Sequence, residues 1–193
     1  MSAPAKSSRY SKVAITLHWV MALMIIGLLA FGILMTNENV PNRFALYQWH
    51  KSFGITILFL TLLRLIWRLT HKPPALPPSI VGGMKPWEIM VSKLVHVAFY
   101  VLMLAMPLLG WAMVSASKLP IPTVLYGVLP WPNMPGVARS EALAEQFKFW
   151  HDMGGKMMIA LLLLHIGGAM KHHFIARDGL LSRMGIGRLP QQD

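Results

Sequence analysis

Four long stretches of the chain are almost free of charge, and polar or proline-rich segments separate them. The first covers residues 13–35, a run of 23 residues interrupted only by Thr16, His18 and small residues such as Gly27 and Gly32. The second covers about residues 46–68 and closes on Arg64 and Arg68; the third covers about 87–114 and the fourth about 147–175. Crossing about 30 Å of hydrocarbon takes ~20 helical residues, so each stretch is long enough to span a bilayer. Helices are the spanning form that apolar runs of this kind support, because they satisfy their own backbone polar groups. The pattern predicts an all-α fold, a four-helix transmembrane bundle making one membrane domain of residues 1–193.

A basic segment with Lys6, Arg9 and Lys12 precedes the first run, as it would in a signal peptide. The run exceeds the apolar core of about 7–15 residues that such peptides have, and no A-x-A cleavage site follows. Residues 36–45 read as a short loop. Residues 70–86 carry Pro73, Pro74, Pro77, Pro78, Pro86 and Gly82-Gly83, and read as an extended linker. Pro107 predicts a kink in the third span. Residues 115–146 form the longest loop, with Pro120, Pro122, Pro130, Pro132 and Pro135, and with Trp131 suited to a membrane interface. A basic, polar tail covers 176–193.

Composition agrees: 55% of the residues are hydrophobic, 13% are charged, and the mean hydropathy is +0.51. The formal net charge of +11 would suggest nucleic acid in a soluble protein. Here the basic residues flank apolar spans, so membrane lipid and topology account for them and no nucleic-acid partner is expected. Lys6, Arg9, Lys12, Arg64, Arg68, Lys72, Lys85, Lys93, Lys171, Arg177, Arg183 and Arg188 fall on one side, and Arg43, Lys51, Lys118, Arg139, Lys148 and Lys156 on the other. The positive-inside bias then puts both termini in the cytoplasm. Cysteine is absent, which excludes disulfides, iron–sulfur clusters and covalent haem attachment. Any haem is therefore b-type.

Histidines recur inside the spans, and buried polar groups are costly there without a task. His151 and His165 stand 14 residues apart on the fourth span. That interval is nearly four helical turns, so both rings face one way, about 20 Å apart along the axis. Low-spin haem iron takes two axial ligands, and imidazole is a standard one. Two levels follow from the spans: an outer one with His50 and His151, and an inner one with His18 and His165, where His96 is also available. Trp49-His50 and Trp150-His151 share the pattern W-H-x-x-x-G. Glycine four residues on lies on the histidine's own face and leaves room for a flat macrocycle. The bland alternative is a set of histidines hydrogen-bonded between helices; four of them at two matched depths favour ligation. Most of the 15 methionines read as packing.

Residues 10–19 (Tyr10 to Trp19), the Trp49-His50 and Trp150-His151 segments, Ala105-Met106-Pro107-Leu108-Leu109-Gly110, His165 and Lys171-His172-His173-Phe174 together resemble the bacterial cytochrome b561 family. The resemblance covers nearly the whole chain. It implies a multi-pass protein of the bacterial inner membrane holding two haem b groups, with His18 and His165 as ligands of the inner haem and His50 and His151 of the outer one. His96 matches a family position not usually given as a ligand. The resemblance also implies a quinone, ubiquinone, as partner. His172, seven residues from His165 and so on nearly the same face, is a candidate for its site, or else a partner of a haem propionate; Thr16 is a further candidate.

Bis-histidine ligation leaves no open coordination position, so the expected task is electron transfer, not O2 binding. What the resemblance implies for some members makes superoxide the electron donor, steered to the outer haem by Lys51 and Lys156. Lys156 has a plainer alternative, an i,i+4 pair with Asp152. Two other functions remain open: a cytochrome b anchor subunit linking quinone to a dehydrogenase or hydrogenase partner protein, and a metal-ion or proton transporter with a histidine relay.

Overall fold

The computed structural model describes residues 9–119 and 121–187. Lys6, Pro120, Arg188 and both chain ends lie outside the described residues. Four helices are long and apolar enough to cross a membrane. They are α1 (Lys12–Thr36), α2 (Arg43–Thr70), α4 (Pro86–Ala116) and α5 (Glu141–Met170), with a short α3 (Pro78–Gly82) between the second and third. Strands β1 (Thr123–Leu125) and β2 (Leu129–Trp131) form an antiparallel hairpin between α4 and α5. The fold is a four-helix transmembrane bundle to which this hairpin is added.

The helix starts follow from local chemistry. Ser11 caps α1 by accepting a 3.2 Å hydrogen bond from Ala14 N. Pro86 opens α4 at a position that needs no N–H, and Glu88 accepts from Lys85 N at 2.9 Å. Helix α2 begins at Arg43 and α5 at Glu141, earlier than the expected 46 and 147. The apolar runs mark where hydrocarbon begins, while backbone hydrogen bonding continues into the polar turns above it. Helix α4 runs through Pro107 to Ala116. Two connections also differ from the expected coil. The proline-rich linker contains α3, whose Ile80 is buried, and the long loop contains the hairpin.

Helix α5 packs chiefly on α4, α1 on α2, and α2 joins the two pairs through α4. The shared core is thin: Met21, Ile57, Leu102, Met103 and Met158. Many large apolar side chains instead face outward, such as Leu23 and Leu163, as lipid requires. Beyond α5 the chain makes a π-helical turn (Lys171–Ala176) and a 3-10 turn (Leu181–Met184). This segment folds back across the end of the bundle that carries residues 9–12, here called the terminal side. Arg183 is fully buried and donates to Pro74 O and Ala75 O at 2.8 Å each. Tyr10 N donates to Arg183 O, and Trp19 Nε1 to Met184 O. The opposite end, with the hairpin, is the loop side.

Candidate functional site

The four histidines singled out above meet as two pairs. His50 on α2 faces His151 on α5 with ring centroids 6.1 Å apart and planes 72° apart. His18 on α1 faces His165 on α5, also at 6.1 Å, with planes at 65°. No hydrogen bond joins either pair among the described residues. A metal–imidazole bond is about 2 Å long and a ring centre lies about 1 Å behind its nitrogen, so two rings bracketing one ion stand about 6 Å apart. Both pairs have this spacing. Two protein ligands per ion is the number that haem iron leaves to the protein, because the macrocycle fills the equatorial positions. Among the described residues no three His, Asp or Glu side chains converge to hold a free metal ion. The donor set fits haem and not a bare cation.

Local geometry also fits. His151 Nδ1 lies 3.1 Å from Met106 O, so this nitrogen carries the proton and Nε2 is left with the lone pair a metal needs. A Cβ at Gly110 would lie 3.1 Å from His151 Cε1, and one at Gly32 would lie 3.6 Å from His50 Cε1. Gly110 on α4 therefore gives the His151 ring its place, while the contact at Gly32 is an ordinary one. The sequence reading pointed instead to Gly54 and Gly155, where an added Cβ meets nothing within 4 Å. Gly110 was visible in the segment 105–110 that carried the resemblance; its contact was not, since it depends on which face of α4 meets α5. His50 Nδ1 is buried and makes no well-formed hydrogen bond among the described residues.

His96 lies against His165, with centroids 5.4 Å apart, and its Nδ1 is 2.6 Å from Ser92 O. It is exposed, and its spacing is shorter than that of the two matched pairs. His172 is half-buried with Nδ1 2.5 Å from Asp178 Oδ2, while Thr16 is exposed on α1. His172 lies in the π-helical turn Lys171–Ala176.

The cationic candidates separate. Lys51 Nζ donates to Pro122 O at 3.2 Å, which ties it to the loop. Lys156 is exposed, and Asp152 pairs with Lys148 at 3.0 Å instead of with Lys156. The i,i+4 pair forms on the other side of the carboxylate because Lys148 precedes it by the same interval.

Comparison with known proteins decides the family. The model of prokaryotic cytochrome b561 matches residues 9–187. The chain belongs to the prokaryotic cytochrome b561 family. Among its curated relatives, cytochrome b561 homolog 2 of Escherichia coli (strain K12) is 28% identical over 187 residues, covering 95% of both chains. A protein of Yersinia pestis named probable superoxide oxidase CybB is 27% identical over 183 residues, covering 91% of this chain and 95% of that one. Cytochrome b562 of Cereibacter sphaeroides is 25% identical over 181 residues, covering 91% and 94%. Family membership makes the chain a multi-pass membrane electron-transfer cytochrome with haem b as its cofactor.

Proposed function

We propose that the protein carries electrons across the bacterial inner membrane from superoxide to ubiquinone, through two haem b groups. The observation that carries this reading is the repetition of one 6.1 Å histidine spacing at two levels of the same helix, α5. His50 and His151 hold the haem on the loop side, His18 and His165 the one on the terminal side. When bound, haem b supplies a one-electron iron couple at each level. With the termini cytoplasmic, the loop side faces the periplasm.

The protein's own residues supply a cationic approach on that side. Arg43, Lys118 and Lys148 pair with Glu38, Glu141 and Asp152 at 3.8, 3.9 and 3.0 Å. Lys51, Lys156 and Arg139 have no acidic partner among the described residues, and they set a positive potential that raises the encounter rate of a small anion. On the terminal side, Asp178 holds His172 Nδ1 and leaves Nε2 for a quinone oxygen, with Thr16 as the other candidate. The overall change balances: two superoxide anions, one quinone and two protons give two O2 and one quinol.

The relative named probable superoxide oxidase favours this reading over an anchor subunit. Stopped-flow mixing of superoxide with the oxidised protein tests it. Haem reduction should outrun dismutation and slow as salt rises, because steering between exposed charges is screened within about 10 Å at 0.1 M salt. Reduction that is slow, or unaffected by both salt and Lys156→Glu, removes superoxide and leaves a partner-protein anchor.

A further inference from the structure

The loop between α4 and α5 has no charged residue from 119 to 138, a run of 20 residues. That is unusual for a segment in water. In the structure the hairpin within it docks against α2, below the level of His50. Val124 N donates to Gln48 Oε1, and Tyr126 N donates to Ser52 Oγ at 2.9 Å. The Tyr126 hydroxyl meets Thr56 Oγ1 at 2.5 Å. Gln48, Ser52 and Thr56 recur every fourth residue, so they form one polar stripe along α2.

Depth follows from the helix geometry. His50 sits opposite Gly32, four residues inside the end of α1 at Thr36. At 1.5 Å per residue that is ~6 Å below the end of α1, and Ser52 and Thr56 are a further ~3 and ~9 Å down. The backbone of the turn therefore lies ~9 Å below the end of α1, and the Tyr126 hydroxyl ~15 Å below it. Non-helical backbone survives there only if its polar groups are satisfied by protein.

The hairpin's outward N–H groups meet that condition, while Trp131 Nε1 on β2 is buried without a hydrogen-bond partner among the described residues. On β1 the outward N–H groups of Val124 and Tyr126 go to the α2 stripe. On β2 the partner of Val124 is Pro130, which has no N–H to leave bare, nor has Pro132 just beyond the strand, and Val128 N donates to Leu125 O at 3.0 Å. Pro132 O accepts from Trp111 Nε1, and Pro122 O accepts from Gln48 Nε2 and Lys51 Nζ. Met134 N goes to Ser115 Oγ at 2.7 Å. The side chains most exposed at the tip are apolar, Val128 at 81% and Leu129 at 54%, while the exposed Tyr126 has its hydroxyl on Thr56.

We propose that this hairpin is a re-entrant element whose tip, Val128 and Leu129, is inserted in the bilayer and contacts lipid acyl chains. It is a fixed wall on the α2–α4 flank of the His50 level, not a periplasmic loop. Lys51 then acts in part as its tether, at the rim where the chain enters.

The inference does not depend on superoxide, quinone or the direction of the termini. The chain has no cysteine, so a single Val128→Cys variant carries one label. Open membrane fragments would be treated with a membrane-impermeant maleimide, alongside Leu163→Cys on the lipid-facing side of α5 and Glu141→Cys at its exposed start. All three positions are exposed in the structure, so none of the substitutions disturbs packing. Val128→Cys should stay unlabelled with Leu163→Cys, and both should react once detergent is added. Labelling of Val128→Cys at the rate of Glu141→Cys, in protein that keeps its haem absorbance, would overturn the proposal. A nitroxide on the same cysteine gives a second reading: oxygen should relax it more than a water-soluble nickel chelate does, and the reverse order would again exclude insertion.

Discussion

On the loop side, two histidines meet across a gap cleared by a glycine on a neighbouring helix, and one ring is fixed by the Met106 carbonyl. On the terminal side three histidines gather, and a folded-back segment closes over the end of the bundle. The spacing of the paired rings is the same, 6.1 Å. The means of holding it differ. The loop-side pair relies on steric clearance, since a Cβ at Gly110 intrudes on His151. None of the glycines described on the four spanning helices would bring a Cβ within 4 Å of His18 or His165, and that pair is instead flanked by His96, Phe99 and Trp19. One helix, α5, carries a histidine to each level, but each level is finished by other elements.

The largest predicted effects separate the levels outright. His50→Ala should remove the loop-side haem and keep the other, and His18→Ala should do the opposite. Difference spectra and haem extraction measure both. Loss of both haems in either variant would mean that the levels are not independent.

Next in size is Arg183→Ala. It removes the buried guanidinium that ties this segment to Pro74 O and Ala75 O, and the loss of a hydrogen bond from a charged group costs about 1.5–3 kcal/mol. The apparent Tm should fall, with loss of the terminal-side haem preceding that of the loop-side haem on heating. Gly110→Ala is the mirror test. Its methyl group must displace His151, and overpacking of this kind costs about 1–3 kcal/mol. The loop-side haem should be lost first in that variant, by the same heating assay. If both substitutions loosen the same haem, the contrast between clearance and closure is wrong.

The smallest effect belongs to His96. Its ring touches His165, but its Nδ1 is held by Ser92 O and it is exposed. His96→Ala should leave two haems and shift the terminal-side spectrum only slightly. A drop to one haem would make His96, not His18, the partner of His165.

Much of this was legible in the residues. The apolar runs show the spans because lipid leaves no other place for such stretches, and histidines within them are conspicuous for the same reason. Depth along each helix then sorts His18, His50, His151 and His165 into levels. The facing of helices was not legible, since periodicity says which side is apolar and not which neighbour lies there. Gly54 and Gly155 were the natural candidates for clearance by sequence spacing, whereas Gly110 does that work from another helix. The hairpin was hidden by its prolines, which read as loop. The signal that pointed to it lay elsewhere, in Gln48, Ser52 and Thr56 at fourfold spacing on a spanning helix, a polar stripe with no other task. The pairing of Lys51 with Pro122 O depends on that hairpin and was equally out of reach.

The central claim is two haem b groups, each between one matched pair of histidines. Haem quantitation by the pyridine haemochrome method, set against protein by amino-acid analysis, tests it most directly. The account predicts two haems b per chain, falling to one in each single-histidine variant at 18, 50, 151 or 165. A wild-type ratio of one, or any of those four variants that keeps both haems, would contradict it.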